Sequence, residues 1–188
     1  MPAVVIEFAP AQREDAPAIA RLHTESWRRH YRGVYSDYYL DGDLNAERLA
    51  VWTKRLAQPV GATFTLTARQ DDQLVGFVHA QLDADPSWGT LIDNLHVTRE
   101  LQRMKVGSRL LHGAAKHVME QRPQQGVYLW VLQTNRSAQA FYLSRGGRVC
   151  AREPVSPPGG DARNLNGTAE KLRVAWDDPS TLLLARCR

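Results

Sequence analysis

Leu91-Ile92-Asp93-Asn94-Leu95-His96-Val97 leads through residues 98–101 into Gln102-Arg103-Met104-Lys105-Val106-Gly107-Ser108-Arg109-Leu110-Leu111. The first seven residues predict a strand, with Leu91, Leu95 and Val97 on one face and Ile92 on the other. From Val106 the apolar period lengthens: Val106, Leu110, Leu111, Ala114, Ala115, Val118 and Met119 recur at helical spacing. A strand therefore runs through a short turn into a helix. The first turn of a helix carries unpaired backbone N–H groups and the positive end of the helix dipole. Such an end suits a phosphate-bearing ligand. Gly107 removes a side chain where that ligand would approach, and Arg103, Lys105 and Arg109 surround it with positive charge.

A second strand and helix follow. Val127-Tyr128-Leu129-Trp130-Val131-Leu132 is a nearly continuous apolar run rich in β-formers, as a buried strand requires. Asn135 then stands where it can cap a helix that contains Ala138, Phe141 and Tyr142 and stops at Gly146-Gly147. Upstream, Ser26-Trp27 leads through Tyr31 and Gly33 to Tyr35, a dense aromatic cluster that would also serve as ordinary core packing.

Together these stretches resemble the GNAT superfamily of acetyl-CoA-dependent N-acetyltransferases. Motif A of that family reads Gln/Arg-x-x-Gly-x-Gly/Ala after a strand ending Leu-x-Val. Here Gln102-x-x-Lys105-x-Gly107 follows Leu95-His96-Val97, with Lys105 at the usual first glycine. Residues 127–147 are similar to motif B, and Ser26–Gly33 to the Ser-Trp-x-x-x-Tyr-x-Gly segment of many bacterial members. The resemblance covers residues 4–176, its specific part lying between 91 and 147.

The resemblance implies an α/β fold. Its mixed, mostly antiparallel sheet is splayed between the motif A and motif B strands and flanked by helices, in one domain spanning residues 1–188. It implies acetyl-CoA as co-substrate and no metal. The cofactor is expected to contact Leu95, His96, Val97, Gln102, Arg103, Met104, Lys105, Val106, Gly107, Ser108 and Arg109 of motif A. In motif B, Asn135, Ala138, Phe141 and Tyr142 are expected to do so. A tyrosine hydroxyl commonly serves the departing thiolate, which here selects Tyr142. Asp93 is the candidate general base, on the expectation that it shares a face with Leu91, Leu95 and Val97; His96 and Glu25 are further candidates. Trp27, Tyr31, Tyr35 and Trp88 are expected to line the acceptor site, with Trp88 in a loop at its entrance. Such an aromatic pocket suits a small-molecule amine. A protein amine as acceptor and a non-catalytic CoA-binding regulatory domain stay open, and so does a homodimer. Helix propensity predicts that glycine at position 105 would slightly weaken the helix start.

Composition narrows the classes further. The chain has 188 residues, 43% hydrophobic and 23% charged, ordinary for a globular domain with a sizeable core. No apolar run reaches membrane-spanning length, and the first residues lack the pattern of a signal peptide. Cys150 and Cys187 form neither a disulfide framework nor a metal spacing. A cytoplasmic protein without membrane partners is the expectation. The net charge of +4 favours anionic ligands such as CoA. Nucleic acid is anionic too, but no nucleic-acid-binding module is recognisable.

The remaining periodicities predict strands at 4–8, 63–68, 74–80, 148–151 and 172–176. Helices are expected from an Asp15 cap to His30 and at 46–56. Residues 83–89 and 153–170 read as loops, and the apolar stretch 181–185 has no assigned place.

Overall fold

The computed structural model describes residues 5–59 and 61–184. Among the described residues seven strands form one sheet: β1 (Glu7–Pro10), β2 (Thr63–Gln70), β3 (Gln73–Asp85), β4 (Gly89–Val97), β5 (Val127–Leu132), β6 (Arg148–Pro154) and β7 (Glu170–Trp176). The order across the sheet is β1-β2-β3-β4-β5-β7-β6. Every pairing is antiparallel except β4 with β5. The helices are α1 (Ala16–His30), α2 (Asp37–Asp41), α3 (Leu44–Ala57), α4 (Val106–Gln121), α5 (Arg136–Ser144) and α6 (Thr181–Leu184). The expected α/β fold with a mostly antiparallel sheet is the one observed. No helix among the described residues is long and apolar enough to cross a membrane.

Two hydrophobic layers sandwich the sheet. On one face Val106, Leu110, Leu111, Ala114 and Val118 of α4 pack on Val78, Ala80, Ile92, Leu129 and Val174. On the other, Ile19 and Leu22 of α1 meet Trp52 of α3 over Phe77 of β3. Gly76 of β3 lets α4 approach: a Cβ there would lie 3.0 Å from Leu110 Cδ1.

The decisive detail is a bulge in β4. His79 pairs with Asn94 and Ala80 with Ile92, so Asp93 is the extra residue. Alternation reverses across it. Ile92, Leu95 and Val97 consequently pack with the α4 layer, correcting the expected grouping of Leu91 with Leu95 and Val97. The strand β5 follows β4 only through Thr90–Val127, Leu91–Tyr128 and Ile92–Leu129, after which the two diverge. Beyond Ile92, therefore, the sheet is open between β4 and β5.

Several boundaries moved. The first strand lies at Glu7–Pro10 instead of 4–8, and Val4 is outside the described residues. Asp15 stands at the α1 N-cap, as expected, but its side chain makes no capping bond there; its carboxylate instead accepts the Gln12 N–H at 2.8 Å and pairs with Arg69. The predicted loop 83–89 is mostly strand, because β3 runs on to Asp85. A tight turn follows, with Asp85 Oδ1 accepting the N–H groups of Ser87 and Trp88 at 2.8 and 3.0 Å. Loop 153–170 docks on the segment after α1. Asn166 donates from its backbone to Val34 O (2.8 Å) and from its side chain to Tyr35 O (3.1 Å), and Val155 is buried beside Leu40 and Leu44. Of the unplaced stretch, Thr181–Leu184 forms α6 against α4, and Ala185 lies outside the described residues.

Candidate active site

The divergence of β4 from β5 opens a cavity of about 790 Å³ that reaches both faces of the sheet. On the α4 side it is lined by Leu95, Val97, Gln102, Arg103, Lys105, Gly107 and Ser108, and by Asn135, Ala138, Phe141 and Tyr142. On the opposite side stand His23, Trp27, Tyr31, Tyr35, Arg48, Arg55, Asp93 and His96.

The turn into α4 is built for an anion. Lys105 caps the helix in the left-handed conformation (φ 64°), and Arg109 N–H donates the first helical bond, to Lys105 O at 3.0 Å. The N–H groups of Val106, Gly107 and Ser108 precede that bond. A Cβ on Gly107 would stand in ordinary contact with Val97 Cγ2 (3.6 Å) and Phe141 Cζ (3.8 Å), two side chains that line the cavity. Across the gap Asn135 caps α5, its Oδ1 accepting the Ala138 N–H at 3.1 Å, as the sequence predicts. An open strand gap, a bare helix turn and the cations Arg103 and Lys105 fit a nucleotide diphosphate with a narrow arm.

Three expected contacts do not turn their side chains into the cavity. Val106 is buried in the α4 core. Met104 is 52% exposed. The Arg109 guanidinium lies 4.2 Å over the Phe8 ring, drawn there by cation–π attraction. Trp88 is the fourth departure. It sits just before β4, at the end away from the opening, where Arg173 lies 4.8 Å over its ring. Glu25 is exposed and also outside the cavity.

Trp27, Tyr31 and Tyr35 do come together, with ring centroids 4.5 to 5.4 Å apart. Burial, with the Asp93 charge nearby, pushes the Tyr31 hydroxyl up to about 12. Tyr142 lies edge-on to Phe141 and Trp176. Burial, with Tyr31 adding to it, raises its hydroxyl well above the ordinary value, so it keeps its proton. Asp93 faces α3, where its Oδ2 lies 2.8 Å from Arg55 Nη1. His96 Nδ1 is 2.7 Å from Ser26 Oγ, and burial, with His30 nearby, lowers its pKa to about 3. It is neutral and weakly basic at neutral pH.

Sequence reading missed His23, Arg48, Arg55, Trp130 and Lys171, all of which line the cavity. A signal existed for the first three. His23 follows Ile19 by four positions on the inward stripe of α1, and Arg48, Trp52 and Arg55 recur at helical spacing in α3. Lys171 could not be found this way, because β7 reaches the site only by inserting between β5 and β6.

The Acetyltransferase (GNAT) family model matches residues 17–146. A probable N-acetyltransferase of Mycobacterium tuberculosis is 27% identical over 158 residues, covering 80% of this chain and 87% of that protein. A spermidine N(1)-acetyltransferase of Thermoplasma acidophilum is 26% identical over 148 residues, covering 77% and 89%. Among solved structures, the PaiA N-acetyltransferase of T. acidophilum in complex with coenzyme A superposes with a TM-score of 0.66 at 20% identity, over 92% of this chain and 99% of that one. Arabidopsis thaliana NAA60 in complex with acetyl-CoA gives 0.63 at 18% identity, over 92% and 98%. With a matching family model over most of its length and a splayed sheet at the matching place, this chain belongs to the GNAT acetyltransferase family.

Proposed function

We propose that this protein is an acetyl-CoA-dependent N-acetyltransferase that acetylates a primary amine of a small molecule by direct attack within a ternary complex. The observation that carries this reading is the continuity of the cavity. One space joins the basic α4 turn to an aromatic and arginine-lined wall, past the open ends of β4 and β5. Donor and acceptor can therefore meet without a covalent enzyme intermediate. Bound acetyl-CoA supplies the activated acyl group.

The residues then divide by position. The α4 turn, with Arg103, Lys105 and the bare N–H groups of its first turn, holds the phosphates. Asn135 and Ala138 flank the arm, and backbone N–H groups of residues 95–97 polarise the acetyl carbonyl. Asp93 orients the amine and takes its proton through water. Its carboxylate is already paired with Arg55, which suits relay through water better than direct contact with the amine. Tyr142 gives a proton to the departing sulfur. The Trp27–Tyr31–Tyr35 wall, with loop 153–170 packed against the same segment, borders the acceptor side, which favours a small molecule over a protein chain. Lys105 adopts a backbone shape that glycine would take, so its presence lends no support to a disabled turn.

Titration calorimetry and CoA release test this. Acetyl-CoA should bind saturably and more weakly as salt rises, and an amine panel should give amine-dependent CoA release. Binding without release for any amine would point to a regulatory domain. No binding at low salt would remove both readings.

A further inference from the structure

The wall of the cavity away from α4 is rich in hydrogen-bond donors and poor in acceptors. Its cations are Arg48, Arg55 and Lys171, and Asp93 is the one carboxylate among the described lining residues. That carboxylate is already engaged by Arg55, which also donates to Asn94 Oδ1 at 3.0 Å.

Two buried donors are left over. The His23 side chain belongs to a residue only 1% exposed, and its Nδ1 accepts the Trp52 indole N–H at 3.0 Å. An indole nitrogen only donates, so the neutral imidazole carries its proton on Nε2. That Nε2 has no partner. Burial, with His96 and then the Arg48 and Arg55 charges nearby, keeps the ring neutral. Arg48 is similar. Its side chain is 12% exposed, its guanidinium lies 4.5 Å over Trp27, and Nη2 pairs with Glu47, yet its buried Nε has no partner. Trp27 contacts both, standing edge-on to His23 at 4.8 Å. An acceptor oxygen beside the Trp27 ring would complete both the Arg48 Nε–H and the His23 Nε2–H.

We infer that the acceptor is an amine that also bears a carboxylate, held by Arg48 and His23, and not a polyamine. The inference rests on the acetyltransferase reading above. The ammonium end meets Asp93, and the carboxylate end meets the donors beside Trp27. A polyamine would instead bring several positive charges to a wall whose carboxylates are already taken, since Arg48, Arg55 and Lys171 pair with Glu47, Asp93 and Glu153. An adjoining recess of about 220 Å³ shares Tyr31, Trp130 and Lys171 with the cavity and has no acidic lining, so it offers a second cation no better home.

The test uses matched amines at saturating acetyl-CoA: phenylalanine against phenylalaninamide, leucine against leucinamide, 4-aminobutyrate against 1,4-diaminobutane, and spermidine. Each is followed by CoA release and by equilibrium dialysis against the CoA-loaded protein. Carboxylate-bearing members should lead in kcat/KM by about tenfold or more. Arg48→Gln should abolish that lead through KM while acetyl-CoA affinity holds, and Arg48→Lys should restore part of it. Amides or polyamines turned over equally well or better would overturn the inference and leave the acetyltransferase reading standing. Carboxylate-selective binding without acetylation of any compound would overturn the acetyltransferase reading, and with it the acceptor role, and leave only a carboxylate-binding site. Absence of both selective binding and turnover would end the inference, and the wild-type panel decides this even if the Arg48 variants fail to fold.

Discussion

The Tyr142 ring packs among Phe141, Trp176 and the α4 layer at the cavity edge, and burial keeps its hydroxyl protonated. Replacement by Phe keeps the ring and its packing, so Tm should change little. A donor to sulfur matters as charge builds there, after cofactor binding. Tyr142→Phe should therefore lower kcat by about a hundredfold with acetyl-CoA affinity nearly unchanged. Single-turnover measurement guards against masking by product release. Unchanged single-turnover chemistry in a folded variant would hand the sulfur's proton to water or the backbone. For Asp93 the sequence offers a candidate residue but not its surroundings. Sequence alternation put it on the wrong face, and the bulge turns it to Arg55.

The start of α4 is an element whose sequence and geometry pull apart. Arg103 and Lys105 both take positive φ, 69° and 64°. A Cβ in that region costs about 1–2 kcal/mol, partly offset by the extra freedom glycine has in the unfolded chain. Helix propensity alone predicts that Lys105→Gly destabilises the turn; the left-handed φ reverses the sign. We expect Tm to rise by about 1–4 °C. Since Lys105 also lines the cavity, acetyl-CoA binding should weaken less than about tenfold and depend less steeply on salt. A fall in Tm would show that the lysine side chain contributes more than its backbone strain removes.

Across the whole molecule, the layer between the sheet and α1/α3 is built on neutral histidines. Burial, joined by the Arg55 charge, lowers His79 to about 4, and burial takes His96 to about 3 and His23 well below its ordinary value. An unfolded chain binds these protons near pH 6.5, the folded chain only at much lower pH. Stability from this layer is therefore complete above pH 6.5 and is lost as pH falls toward 4. His79 is 3% exposed, and alone would account for about 3 kcal/mol. Thermal scans should show Tm dropping through this window, with a shallower slope in His79→Gln. A Tm constant from pH 6.5 to 4 would mean that the layer opens to water before it unfolds.

The sequence by itself determined the strand–turn–helix units at 91–119 and 127–147, their order and the family. These are local properties, written in apolar period, glycine placement and caps such as Asn135, and they need no partner to be read. Tertiary structure decided what depends on a neighbour. A bulge exists only relative to the strand it fails to match, so the facing of Asp93 and Ile92 had to wait for β3. The placing of Trp88 away from the opening depends on where β4 begins against β5. Arg48 and Arg55 read as ordinary helix-surface cations until α3 lay against α1 and brought them beside Trp27 and Asp93. The loop at 153–170 has turn-rich composition but no period, and its docked position comes from Asn166 and Val155 meeting a segment more than a hundred residues earlier. Long-range packing of that kind leaves no periodic mark in a single chain, because the physical constraint lies in the contact and not in either stretch alone.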